Sequence, residues 1–180
     1  MHGMSEPRIL IELCTQTLQI TDGGELERIY RVSTAANGPG ERRGSGCTPR
    51  GRHRVRAKIG QGCEPGTVFR GRRRTGEVYS EALAACHPER DWILTRILWL
   101  GGLEPGRNRG GDVDSLRRFI YIHGCPPGEP MGVARSHGCI RMCDADLIEL
   151  FDLTPLGTLV EIDDDETQAS SCGVATCHDR

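Results

Sequence analysis

The residues with the clearest chemical potential are grouped late in the chain, at Ser136-His137-Gly138-Cys139-Ile140-Arg141, preceded by Ile122-His123-Gly124. A cysteine attacks through its thiolate, and at an ordinary pKa of about 8.5 only a few per cent is ionised at neutral pH. It therefore needs a base to take its proton or a positive environment to hold the thiolate. His123 and His137 supply imidazoles, and Arg141 supplies a guanidinium able to grip a carboxylate through two N–H groups. Gly124 and Gly138 remove side-chain bulk where a reacting carbonyl must approach closely. Nucleophile, base, anion clamp and close-approach glycines are the parts of an acyl-transfer site. On spacing alone the bland reading stands beside it. A cysteine is usually a small buried hydrophobe, a histidine after a strand is commonly only hydrogen-bonded in place, and Arg141 could be a surface ion pair.

These residues need a scaffold, and the patterning around them is mostly that of strands. Ile9, Ile11 and Leu13, then Leu18 and Ile20, alternate with polar residues and predict two short strands joined to a third at Ile29–Ser33 by the turn Asp22-Gly23-Gly24. Residues 37–46 read as a long loop. His53, Val55, Ala57 and Ile59 alternate with Arg54, Arg56 and Lys58, which places a basic side toward solvent. Residues 60–90 are rich in Gly, Pro and Arg, with only a brief helix at Glu81–Cys86. Trp92–Leu100 reads as a buried strand, and Phe119–Ile122 as another that runs directly into His123. Asp144 is the expected cap of a helix through Phe151, because Leu147, Leu150 and Phe151 share one face; Thr154-Pro155 ends it. Thr158–Ile162 closes the domain as a strand. The expectation is a mainly β, sandwich- or barrel-like domain with one or two short helices over residues 8–162, followed by a polar, acidic, cysteine-containing tail at 163–180.

Composition narrows the alternatives. With 180 residues, 37% hydrophobic and 27% charged, the chain has room for one domain and enough apolar residues to fold it. A formal net charge of −2 argues against nucleic acid as a partner, although eleven Lys or Arg and one acid lie between Arg42 and Arg74. No apolar run approaches the ~18 residues of a membrane-spanning helix. Nine cysteines leave at least one thiol unpaired, and no CxxC occurs; Cys172, Cys177 and His178 are a fragment of a metal site at most, so no metal or other cofactor is expected. Cys125 and Cys143, near Cys139 in sequence, raise a disulfide as an alternative to a passive role. Residues 1–8 lack the basic start, apolar stretch and small-residue site of a secretory signal.

IHG at 122–124 followed by SHGCIRM at 136–142 resembles the L,D-transpeptidase catalytic domain family, of YkuD type. Thr48-Pro49-Arg50-Gly51, Arg96–Leu100, Gly106-Arg107-Asn108 and the closing Leu156-Gly157-Thr158-Leu159-Val160 extend the likeness over roughly residues 8–162. The resemblance implies a β-sandwich-like fold and a monomeric enzyme of the cell envelope acting on peptidoglycan stem peptides; with no export signal, the cytoplasm is the alternative location. Cys139 would attack the carbonyl of the third stem residue, His123 would carry the proton, and the Gly124 carbonyl would orient the imidazole. Gly138 and Cys139 N–H groups, with His137 and Ser136 nearby, would bind the oxyanion, and Arg141 would lie near the donor's carboxylate. The twelve residues between His123 and Ser136 are few for this family. The alternatives are an L,D-carboxypeptidase or amidase on the same scaffold and, from another class, a Cys/His-rich metal or interaction module.

Overall fold

Alternating burial builds the first edge of the sheet. In β1 (Arg8–Glu12) and β2 (Thr17–Asp22), Ile9, Ile11, Leu18 and Ile20 turn inward while their neighbours reach outward. Gly23 and Gly24, with φ of +65° and +85°, make the two-residue turn into β3 (Glu25–Arg31), the combination a tight hairpin requires. β3 begins four residues earlier than the apolar pattern predicts, because Glu25–Ile29 is exposed and carries no burial signal. Ser33, expected within that strand, lies beyond it and bridges to Arg141 instead. The computed structural model describes residues 6–164.

β10 (Leu159–Asp163) inserts between β1, which it parallels, and the antiparallel β4 (Gly51–Ile59). β7 (Ile93–Gly102) is the central organiser. It pairs antiparallel with β4, with β5 (Thr67–Arg70) of the β5–β6 hairpin (β6, Arg73–Val78), and with β8 (Tyr121–Gly124). β8 in turn pairs in parallel with β9 (Ile140–Met142). The result is a mainly β domain built on one ten-stranded mixed sheet with two short helices, α1 (Glu81–Cys86) and α2 (Asp144–Leu153).

α2 closes the core beneath β8 and β9. Leu147, Leu150 and Phe151 are fully buried and join Ile122, Ile140 and Met142 in one apolar cluster. Its ends differ from expectation. Cys143, not Asp144, holds the N-cap position, without a side-chain capping bond. The Asp144 carboxyl is instead turned inward beside Thr95, with its Oδ1 buried and without a hydrogen-bond partner among the described residues, while the Gly66 N–H donates to Thr95 Oγ1 at 2.8 Å. At the other end Lys58 Nζ donates to the carbonyls of Phe151 (2.6 Å) and Thr154 (2.7 Å), satisfying orphan acceptors of the last turn. The basic side of β4 therefore reaches solvent at Arg52, Arg54 and Arg56, while Lys58 serves the helix. β10 runs one residue past the expected strand end, to Asp163, and Asp164 is held by Arg50 at 3.0 Å. Cys172, Cys177 and His178 lie outside the described residues. No helix among the described residues is long and apolar enough to cross a membrane.

Candidate active site

The parallel register of β8 and β9 sets Ile122 against Ile140, His123 against Arg141 and Gly124 against Met142. Side chains alternate across a strand, so each pair faces one way. Ile122, Ile140 and Met142 go into the core. Tyr121, His123 and Arg141 take the other face, and Cys139, one residue before β9, continues it by packing beside Tyr121, Phe69 and Ile97. The fold thus puts the imidazole and the sulfur on one face of two adjoining strands, two register positions apart along the ladder.

His123 is 2% exposed, and its Nδ1 lies 2.8 Å from the Gly124 carbonyl. A carbonyl only accepts, so Nδ1 carries the hydrogen and Nε2 presents its lone pair. Burial pushes the imidazole below the usual histidine range, against the opposing pull of the Gly124 carbonyl and of Asp91. At neutral pH the ring is therefore an uncharged base with its orientation fixed by the main chain.

The Cys139 thiol is partly buried, and that burial pushes it up to about 11, outweighing the Tyr121 N–H and the charges of Arg141 and Arg118, which pull it down. Tyr121 N–H donates to Sγ at 3.4 Å, and the thiol donates to the Phe119 carbonyl at 3.4 Å. Phe119 takes φ +59°, a left-handed conformation rare for a bulky residue, and so presents its carbonyl to the sulfur. With the thiol pushed up and the imidazole pushed down, both groups are uncharged at neutral pH. Iodoacetamide alkylation of Cys139, followed by peptide mapping, is accordingly expected to accelerate steadily above pH 8 toward a midpoint near 11. A plateau already reached at pH 7 would mean a standing thiolate–imidazolium pair.

The loop before Cys139 is pinned from several sides. Ser136 Oγ donates to the Cys139 carbonyl and accepts the Gly138 N–H at 3.2 Å, so in this state that N–H is engaged within the loop. The Gly138 carbonyl accepts from Thr48 Oγ at 3.0 Å. Gly138 has φ +133°, and a Cβ there would meet the Cys47 carbonyl at 3.3 Å. Thr48, fully buried, ties this loop to Ala35 as well, which accounts for the Thr-Pro turn noted in the sequence.

Arg141 and His137 stand differently from expectation. The Arg141 guanidinium is held by Asp91 at 2.8 Å and Glu129 at 3.6 Å, so its capacity to grip a carboxylate is already engaged within the protein. Asp91 also approaches His137 Nδ1 at 3.3 Å, and the His137 side chain is 77% exposed. Asp91, Glu129 and Arg118, which donates to the carbonyls of Gly40, Glu41 and Cys47, were missed from sequence; partners this distant along the chain leave no periodic signature. A cavity of about 440 Å³ opens beside His137 and Arg141, bounded by Arg90, Asp91, Glu129 and Arg135. No group of three His, Cys, Asp or Glu suited to a metal occurs among the described residues.

Gly124 has no space for a side chain. A Cβ would strike Asp144 Oδ1 and come within 2.7 Å of the Leu94 carbonyl on the paired strand. Opposite it, β7 bulges between Leu94 and Ile97, with the buried Thr95 at φ +72°. Gly124→Ala is expected to destabilise the fold by about 1–3 kcal/mol, as overpacking does, and to slow any reaction that needs His123 in place. Thermal unfolding and an acylation assay on the same sample check this; an unshifted melting temperature would contradict it.

The sequence profile of the L,D-transpeptidase catalytic domain matches residues 6–162. Among solved structures, the chain is similar to an L,D-transpeptidase from Mycobacterium smegmatis, with 20% identity, TM-score 0.51, and coverage of 89% of this chain and 59% of that one. It is similar to L,D-transpeptidase 3 from Mycobacterium tuberculosis in complex with a faropenem-derived adduct, with 15% identity, TM-score 0.56 and coverage of 90% and 61%. A mutant of the Enterococcus faecium L,D-transpeptidase gives 16% identity, TM-score 0.54 and coverage of 89% and 50%. The chain thus spans between half and about three fifths of these proteins. No curated protein sequence matches it.

Proposed function

Because the chain belongs to the L,D-transpeptidase catalytic domain family, we propose that it is a cysteine-dependent acyltransferase of the cell envelope acting on peptidoglycan stem peptides. Cys139 Sγ attacks the carbonyl carbon linking the third and fourth stem residues, and its proton passes to His123 Nε2. The tetrahedral intermediate collapses, the C–N bond breaks, and the leaving amine takes the proton from the imidazole. A thioester remains on Cys139. An acceptor amine then attacks it, giving up a proton to His123 as the thiol is restored; an amine yields a cross-link, and water yields a trimmed stem. The Tyr121 N–H, which already reaches the sulfur, and the nucleophile's own N–H would serve as oxyanion donors, with the exposed His137 nearby.

The observation that carries this reading is the locked tautomer of His123 on the same strand face as Cys139. An imidazole with its Nδ1–H spent on its neighbour's carbonyl and its Nε2 lone pair open can accept a proton, and the thiol on the same strand face is what makes it the base of a nucleophile. Incubation with a disaccharide tetrapeptide, followed by mass analysis, tests the reading. Dimer or tripeptide product, with release of the fourth residue, is expected, and intact substrate after prolonged incubation would refute it.

A further inference from the structure

Arg72 stands at the tip of the β5–β6 hairpin, in the two-residue turn Gly71-Arg72 where Gly71 supplies φ +59°. Its guanidinium lies 4.3 Å from the centre of the Trp99 ring and 5.1 Å from that of Phe119, and Nη1 donates to Tyr121 Oη at 2.9 Å. Phe119 and Tyr121 are the two residues whose main chain contacts the Cys139 sulfur. The cation is thus mounted on the aromatic wall of the nucleophile's own pocket. Trp99 packs edge-on against Tyr121, with ring centres 6.2 Å apart, which stiffens that wall.

Two other arginines near the site are already paired with carboxylates. Arg141 is held by Asp91 and Glu129, and Arg90 by Glu77. Among the described residues no carboxylate lies within ion-pair distance of Arg72 or of its neighbour Arg74, and a cavity of about 270 Å³ opens between them over Ile59 and Phe69. A guanidinium stacked on aromatic faces keeps its in-plane N–H groups available, and after one Nη1–H is given to Tyr121 Oη the others remain; stacking also removes much of the freedom that binding would otherwise have to freeze. That combination recognises a carboxylate.

Resting on the stem-peptide reading above, we propose that Arg72 is a specificity-determining residue that binds a carboxylate of the peptide stem, the task from which Asp91 and Glu129 withhold Arg141. The carboxylate has two sources in such a stem: the terminal carboxylate, or the side-chain carboxylate of a third residue such as diaminopimelate. Titration calorimetry on the Cys139→Ala protein separates them without requiring turnover. The unmodified tetrapeptide is expected to bind about tenfold more weakly to the Cys139→Ala, Arg72→Gln protein, the size of effect lost with a charge-assisted hydrogen bond. Amidating whichever carboxylate Arg72 holds should cause a similar loss and abolish sensitivity to the substitution, whereas amidating the other should leave that sensitivity intact. Arg73→Gln, one residue along the same hairpin, should stay within about twofold of the parent. Affinity unchanged by Arg72→Gln, an equal loss for all three peptides, or an equal loss for Arg73→Gln would overturn the assignment while leaving the acyltransferase reading intact. Failure of the parent to bind any of the peptides would overturn both.

Discussion

Cys139→Ala is expected to lower turnover of a tetrapeptide donor by at least about 10⁴-fold, the scale on which removal of a covalent nucleophile acts. None of the other cysteines among the described residues combines this sulfur's position with a buried imidazole on the same strand face. Cys14 and Cys86 are exposed, and Cys125 is buried with its thiol pushed up to about 12. Loss of one small, partly buried side chain at the edge of the core should leave thermal unfolding within a few degrees of the parent. Turnover assays with a melting curve on the same preparation provide the check. Activity within tenfold of the parent would remove Cys139 from the reaction.

His123→Ala is expected to slow acylation by about 10²–10⁴-fold, the range for a general base, whereas His137→Ala should cost less than about tenfold. The difference follows from their surroundings. His123 is buried, with Nδ1–H spent on the Gly124 carbonyl and Nε2 available; His137 is exposed and meets only Asp91 at 3.3 Å. Burial lowers the His123 pKa, so the neutral, competent ring persists below pH 6.5, and the acid limb of the rate profile should fall below that value. Single-turnover acylation across pH 4–8 tests both statements. Equal losses for the two variants, or an acid limb above pH 7, would mean that the base is wrongly assigned.

What could be read from sequence depended on whether burial left a local pattern. Ile9–Leu13, Leu18–Ile20, Leu147–Phe151 and the apolar run through Trp99 show inward faces at strand or helix spacing, and they fold accordingly. His123 was recognisable because it follows an apolar run, although β8 starts at Tyr121, not Phe119, and contains His123 rather than stopping before it. The β5–β6 hairpin was not, because only Thr67–Phe69 is buried and its Arg-rich turn looks like loop. Asp144 read as a cap because aspartate favours that position. Tertiary packing instead buries its carboxyl against the Thr95 bulge, a left-handed, β-branched position that no sequence rule anticipates. Arg141 was visible as a cation, but its commitment to Asp91, fifty residues earlier, was not. The parallel pairing of β8 with β9, which brings the two key side chains together, is a property of topology alone.

The most direct test is covalent capture. The Mycobacterium tuberculosis relative carries a faropenem-derived adduct, and the same penem class should acylate this chain if Cys139 is a reactive nucleophile. Intact mass after incubation, with peptide mapping of the product, is expected to show a single adduct on the peptide containing Cys139, absent from Cys139→Ala. An unmodified mass, or an adduct on any other cysteine, would contradict the account.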